Sequence, residues 1–302
     1  MLAGNTLAPL LGSQAPVARG QVAMSVPEDK LFLVFTDLDG SLLDHHSYSY
    51  RDALPQLHRL EHLGIPVIPA TSKTRAEIEQ LRAELGNGHP FIVENGAAVY
   101  IPVGYFNAQP QGTIEREAFW VREMAAPRAK WLHLLAELGD EFPEEFDYFF
   151  RAGTQGIVRM TGLPEAQAAQ ANQREYSEPV KWLGDDAGKT EFIARLHAGG
   201  ASVLQGGRFL AVSGDCDKGR ALAWLRQVFQ RGQPGRSSHD LALGDSANDC
   251  AMLEAAQSAV LVRSPVHDFP ILARSDGVLF STAYGPAGWA EGVAHWLHHN
   301  YL

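Results

Sequence analysis

The stretch LFLVFTDLDGSLL (31–43) decides how this chain is read. Residues Leu31 to Thr36 are apolar or β-branched throughout, the composition of a parallel strand buried on both faces. Two aspartates one residue apart, Asp37 and Asp39, follow at once, with Gly40 behind them. Alternate residues of an extended chain share a side, so both carboxylates face one way at the strand's carboxyl end while Leu38 points into packing. Carboxylates held that close repel unless something answers them, and the rest of the sequence has to supply it.

The rhythm around this strand is α/β. DALPQLHRLEHLG has Leu54, Leu57, Leu60 and Leu63 at helical spacing, with Gly64 as a stop. IPVIPA is a second buried strand, and TRAEIEQLRAELG a helix opened by Thr74 and Glu77 in capping-box spacing. PFIVENG supplies a third strand. Strands alternating with helices imply a parallel sheet covered by helices. Between about Val103 and Ser213 the pattern mixes helices (RAKWLHLLAELG, PEAQAAQANQRE, KTEFIARLHAG) with short strands (GIVRM, ASVLQGG, RFLAVSG). The α/β rhythm then resumes with KGRALAWLRQVFQ, DLALGD, ANDCAMLEAAQ, AVLVR and a last helix near PAGWAEGVAHWLHH. The expected architecture is an α/β, Rossmann-like parallel-sheet core over 30–102 and 214–302, interrupted by an inserted α+β cap over 103–213.

With 302 residues, 45% of them hydrophobic, the chain can bury a large core. A formal net charge of -10 argues against nucleic acid bound through broad phosphate neutralisation. No apolar run reaches the length of a membrane span. The two cysteines, Cys216 and Cys250, suit a reducing, cytoplasmic setting better than a disulfide framework. Residues 1–29, rich in small residues, Gly and Pro, are expected to be a disordered tail, with Met24 an alternative start.

Chemistry in open parallel sheets collects at the carboxyl ends of the strands, and four such places carry polar residues. They are Asp37 and Asp39; Thr71, Ser72 and Lys73 after IPVIPA; Lys218 at a helix start; and Asp245, Asn248 and Asp249 after LAL. Each alone has a plain structural reading as a cap, a turn or a surface lysine; four at one sheet edge make a site. Hard oxygen donors with few histidines select Mg²⁺ over Zn²⁺. A carboxylate beside such a cation can attack phosphorus, a lysine and a hydroxyl can hold the phosphoryl oxygens, and a second acid can move the proton.

DLDGSLL, ATSK, DKGRAL and GDSANDCAML resemble, in order, the four motifs of the haloacid dehalogenase superfamily of Mg²⁺ phosphatases, with Ser41 where a threonine is usual. The resemblance implies Asp37 as nucleophile, Asp39 as general acid/base, and Thr71 and Lys218 as phosphoryl-binding groups. It also implies Mg²⁺ held by Asp37, the main-chain carbonyl of Asp39 and Asp245, with Asn248 and Asp249 in support. The inserted segment is similar to the α+β caps that close over such sites and select substrate.

DHHSYSY, TSKTRAEIEQLR, HPFIVENGAAVYIPVGYF, REYSEP and GGRFLAVSGDCDKG resemble a narrower group, the mannosyl-3-phosphoglycerate phosphatases. That resemblance implies a small phosphorylated sugar-glycerate substrate, with neither a nucleic acid nor a membrane as partner. The substrate's carboxylate and hydroxyls suit arginine, acidic and amide groups. Expected cap contacts are Arg174, Glu175 and Ser177 in QREYSEP and Gln205, Gly207 and Arg208 in QGGRF, with Ser72 and Lys73 on the core side; ordinary surface loops are the alternative. Lys73 either attracts the anionic ligand or pairs with Glu77. His45 and His46 have no further His or Cys placed to complete a metal site and are read as polar contacts in a cap-facing loop. The competing functions are a broader sugar-phosphate phosphatase, glucosyl-3-phosphoglycerate included, a phosphomannomutase-like phosphotransferase, and a non-catalytic phospho-sugar sensor. Asp37 and Asp245 argue against the sensor. Mannose against glucose and the oligomeric state stay open.

Overall fold

The computed structural model describes residues 27–206 and 208–301; the tail expected over 1–29 lies, up to residue 26, outside them. The chain begins with β1 (Lys30–Thr36), α1 (Leu54–His62), β2 (Val67–Pro69), α2 (Arg75–Leu85), β3 (Phe91–Val93) and β4 (Ala98–Pro102). It continues through β5 (Ile114–Arg116), β6 (Phe119–Glu123), α3 (Arg128–Leu138), β7 (Phe146–Tyr148), α4 (Phe149–Thr161), α5 (Glu165–Ala171), β8 (Glu178–Trp182), α6 (Asp186–Ala198), β9 (Ser202–Gln205) and β10 (Leu210–Ser213). The last part is α7 (Lys218–Gly232), β11 (Ser237–Gly244), α8 (Cys250–Ala255), β12 (Ser258–Arg263), β13 (Val278–Tyr284) and α9 (Gly285–Tyr301).

The first layer is a parallel five-stranded sheet in the order β13-β12-β11-β1-β2. β1 lies inside it, paired on both edges, which is why its side chains are apolar on both faces. One face packs Phe32, Val34 and Leu243 with Trp289, Val293 and Leu297 of α9; the other packs Leu33, Phe35 and Ala242 with Leu222, Leu225 and Phe229 of α7. Helices therefore cover both faces, and the α/β core with parallel strands is as expected. The capping box at Thr74 and Glu77 forms, with both reciprocal hydrogen bonds made.

PFIVENG departs from the simple parallel reading. β3 touches β2 through a single parallel bridge, Ala70 to Ile92, then turns back into an antiparallel sheet in the order β3-β4-β6-β5. Phe119, Trp120 and Val121 of β6 fall within the segment expected as cap, yet they pack in the two core clusters. A separate cluster unites Trp131, Leu135, Phe192 and Leu196 with Phe146, Val180, Leu210 and Val212. It is the core of an α+β unit whose antiparallel sheet runs β7-β8-β10-β9. GIVRM, expected as a strand, is the second half of α4. Ile157 is buried while Val158, Arg159 and Met160 are not, a one-sided pattern that suits a helix packing on Ala168 and Ala171 of α5. The loop expected through REYSEP ends in β8, paired with β7 and β10, and β13 had no counterpart in the sequence reading. Both cysteines are free. No helix among the described residues is long and apolar enough to cross a membrane.

Candidate active site

Asp37 sits one residue past β1, and its N–H still bonds the Leu243 carbonyl at 2.8 Å, so the nucleophile candidate is held by the sheet ladder itself. Thr36 Oγ1 donates to the Asp37 carbonyl (2.7 Å) and accepts from Trp289 Nε1 (2.9 Å), tying this backbone to α9. The turn that follows needs Gly40: φ is +86°, and a Cβ there would stand 2.5 Å from Asp245 Oδ2. Ser41, where a threonine is usual, keeps the hydroxyl in use, donating to Asp245 Oδ1 at 3.3 Å.

Lys218, the first residue of α7, is completely buried. Its Nζ donates to Asp37 Oδ1 and to Asp249 Oδ1, both at 2.6 Å. Burial works against its charge, but Asp249 and Asp37 outweigh it and hold the lysine protonated well above its ordinary value. Asp249 is fully engaged: its Oδ2 accepts from the N–H groups of Asp245 and Ser246, both at 3.1 Å, closing the turn that ends β11. Asn248 donates to Asn95 Oδ1 at 3.1 Å. Asp39 Oδ2 is paired with Lys73 at 2.9 Å, closer than the Lys73–Glu77 distance of 4.0 Å. Thr71 is buried, and its hydroxyl accepts from the Lys73 N–H at 3.1 Å.

Asp37, Asp245 and Asp249 offer carboxylate oxygens within 4.8 Å of one another. Among the described residues Lys218 is the one lysine or arginine bonded to them, so the cluster is formally short of two positive charges. Burial first, then repulsion from Asp249, pushes the Asp37 carboxyl well above its ordinary value against the pull of Lys218. The same two causes push Asp245 up to about 6. An all-oxygen donor set with an unmet negative charge fits a hard divalent cation.

This cluster opens on a cleft of about 770 Å³ between the core and the α+β unit, within the range of small-molecule sites. Asp37, Asp39, Ser72, Lys73, Arg174, Gln205, Arg208, Asp245 and Asn248 line it. Thr71, Lys218 and Asp249 lie behind its wall. Arg174 donates Nη2 to the Ser72 carbonyl (2.8 Å), so it is held against the core, whereas Arg208 bonds the Thr161 carbonyl (3.1 Å) at the outer rim. Glu175 and Ser177 do not line the cleft. Glu175 accepts from Arg75 Nε and Tyr100 Oη, and Ser177 Oγ donates to Glu94 at 2.5 Å. Gly207 lies outside the described residues.

His45, expected as a polar contact in a cap-facing loop, lines the cleft. The sequence reading missed three groups. His267 Nε2 is 3.3 Å from Asp245 Oδ2. Phe149 and Phe209, packed edge to face with centroids 5.2 Å apart, form an apolar wall. Glu94 and Asn95 take left-handed backbone, φ +48° and +60°, ahead of Gly96, a conformation costing about 1–3 kcal/mol for each non-glycine residue. An acid followed by Asn-Gly at a strand end was the available signal for this turn.

Residues 34–110 match the family model of haloacid dehalogenase-like hydrolases, and residues 196–297 match that of sucrose-6F-phosphate phosphohydrolase. The chain is 34% identical over 261 residues to a glucosyl-3-phosphoglycerate/mannosyl-3-phosphoglycerate phosphatase of Methanococcoides burtonii, covering 86% of this chain and 95% of that one. It is 33% identical over 264 residues to the protein of the same name in Persephonella marina, with the same coverage. Its fold is similar to that of a solved phosphatase of the haloalkanoate (HAD) enzyme superfamily from Bacteroides thetaiotaomicron. The TM-score is 0.62 at 18% identity, with 91% of this chain and 97% of that one covered.

Proposed function

The chain belongs to the haloacid dehalogenase-like hydrolases, in the family of the glucosyl-3-phosphoglycerate/mannosyl-3-phosphoglycerate phosphatases, and on that premise we propose that it removes phosphate from a glycosylated 3-phosphoglycerate. Mannosyl-3-phosphoglycerate, giving mannosylglycerate, is the leading substrate, and the double name of the relatives favours the glucosyl ester as the second. The reading includes a reducing, cytoplasmic setting, to which two free cysteines conform.

The observation that carries the chemistry is the buried contact of Asp37 with Lys218 beside Asp245, at the floor of a cleft with Lys73, Arg174 and Arg208 on its walls. Lys73, Arg174 and Arg208 stand among the cleft's carboxylates Asp37, Asp39, Glu77, Asp245 and Asp268, and such cations suit a ligand with phosphate and carboxylate. Asp37, Asp245 and the carbonyl of Asp39 would hold Mg²⁺, with Asn248 and Asp249 in support, and the ion would neutralise charge on the phosphoryl group.

In the proposed reaction a carboxylate oxygen of Asp37 attacks phosphorus. The bond from phosphorus to the glycerate oxygen breaks, and that oxygen takes a proton from Asp39. Lys218 and the Thr71 hydroxyl hold the phosphoryl oxygens. Asp39 then takes a proton from water; the hydroxide attacks phosphorus, and the bond to Asp37 breaks to release phosphate. The core over 30–102 and 214–302 carries this chemistry. The segment 103–213 acts as cap, its first part, through β6, being packed on the core.

The test is phosphate release from a panel of phosphorylated metabolites with Mg²⁺, including mannosyl- and glucosyl-3-phosphoglycerate and simple hexose phosphates. Glycosylated phosphoglycerates are expected to have the highest kcat/KM. Equal or better turnover of hexose phosphates would overturn the substrate assignment, and transfer of phosphate to a sugar hydroxyl instead of water would favour the phosphotransferase.

A further inference from the structure

Glu94 is 1% exposed, and its carboxylate spends its accepting capacity on one short segment of the cap side. Oε1 accepts from the Glu175 N–H at 2.8 Å; Oε2 accepts from the N–H groups of Tyr176 (3.2 Å) and Ser177 (2.8 Å) and from Ser177 Oγ (2.5 Å). Arg174 Nε lies 3.5 Å from the same Oε2 and donates to Ser177 Oγ at 3.0 Å. The backbone of the same turn is fastened to the reaction centre. The Glu94 N–H bonds the Lys73 carbonyl (3.1 Å), the Asn95 N–H bonds the Thr71 carbonyl (2.9 Å), and Asn95 Oδ1 accepts from Asn248. Gly96 lies so close to the start of α7 that a Cβ would stand 2.1 Å from the Asp217 carbonyl oxygen.

We infer that Glu94 is a positioning residue for substrate selection, acting through Arg174. Its carboxylate clamps the segment 174–177 to a turn that is hydrogen-bonded to Thr71 and Asn248 and packed on the α7 start. Arg174 lines the cleft and, with Nε turned to Ser177 and Nη2 to Ser72, has its Nη1 group without a hydrogen bond to the described residues. On the reading proposed above, that group meets the substrate's glycerate carboxylate, at a distance from the phosphoryl site set by the clamp. A carboxylate suits this task because three adjacent N–H donors, buried and pointing one way, need an acceptor with several lone pairs. Removing it strands those donors and frees Arg174.

The full chain with Mg²⁺ is assayed for kcat and KM on mannosyl-3-phosphoglycerate and on p-nitrophenyl phosphate. Glu94→Gln is expected to raise KM for the glycosylated ester at least about tenfold more than for the small one, the loss expected of a charged hydrogen bond. Glu94→Gln added to Arg174→Ala should cost less than about threefold beyond Arg174→Ala alone, because the two act as one unit. Equal KM changes on both esters, or additive losses in the double variant, overturn the inference. Should Glu94→Gln not fold, Ser177→Ala, which removes one donor to Glu94 and with it the acceptor of Arg174 Nε, carries the same comparison with a smaller split of the same sign. Should the wild type not prefer the glycosylated ester, the substrate reading fails by itself. Hydrogen exchange at amides 175–177 then tests the clamp: faster exchange by at least about tenfold in Glu94→Gln supports it, and unchanged exchange overturns it.

Discussion

Asp245→Asn is expected to stabilise the metal-free protein while destroying its activity. The Asp245 carboxyl, ordinarily near 3.8, is pushed up to about 6 by burial and by Asp249. At about 1.4 kcal/mol per tenfold change in proton affinity, its ionised form is disfavoured on folding by about 3 kcal/mol. The amide keeps the shape and drops the charge, but weakens the contacts with Ser41 and His267, both at 3.3 Å. We expect a net gain of about 1–2 kcal/mol at pH 7.5 in EDTA, or about 2–3 °C in Tm for a chain of this size. The sign fixes the pH window. A carboxyl whose folded value lies above its unfolded value contributes stability that is full below about 4 and lost as pH rises through about 6. The variant's advantage should therefore grow between pH 4 and 7. Adding Mg²⁺ should raise the wild-type Tm by mass action and the variant's much less. The assay is thermal unfolding followed by circular dichroism across pH 4–8, with EDTA or Mg²⁺. A variant no more stable than wild type in EDTA at pH 7.5, with the same slope against pH, would refute the reasoning.

Asp37→Asn should lower kcat at least about 10³-fold by removing the attacking oxygen; a variant within tenfold of wild type would sink the covalent route. Gly96→Ala should cost more than about 2 kcal/mol in urea unfolding, since its φ of +94° and the Asp217 carbonyl leave no room for a methyl; a cost under half of that would mean the turn yields easily. Arg174→Ala should raise KM for mannosyl-3-phosphoglycerate about tenfold, and Arg208→Ala less than about threefold, because Arg174 is braced against Ser72 and Arg208 lies at the rim. Equal effects would mean that bracing does not decide the contribution.

The carboxylate cluster at the floor of the cleft was legible in the sequence because its signals are local. A parallel strand buried on both faces is a continuous apolar run, and a polar group directly behind it lies at the sheet's carboxyl edge; Asp37, Thr71 and Asp245 could be found in that way. Thr74 with Glu77 was legible for the same reason, since a capping box closes within three residues. GIVRM misled because a short apolar run has no period of its own, and packing on α5 decided that it is helical. β8 and β13 were missed where strands are short or half exposed and alternation is weak. Glu175 and Ser177 stand beside Arg174 in sequence, but their side chains are taken by Arg75, Tyr100 and Glu94 instead of the cleft.

By itself, then, the sequence determined the α/β class, the order of the four polar loops and the type of chemistry their carboxylates, lysine and hydroxyl can perform. Only the tertiary structure decided which charges meet. It brought Lys218 to Asp37 across 181 positions of chain, turned Asp249 toward the lysine, and set Glu94 beneath the segment 175–177. The physical reason is that a strand end is written in neighbouring residues, whereas the partner of a buried charge is chosen by what the folded chain leaves within three ångströms of it.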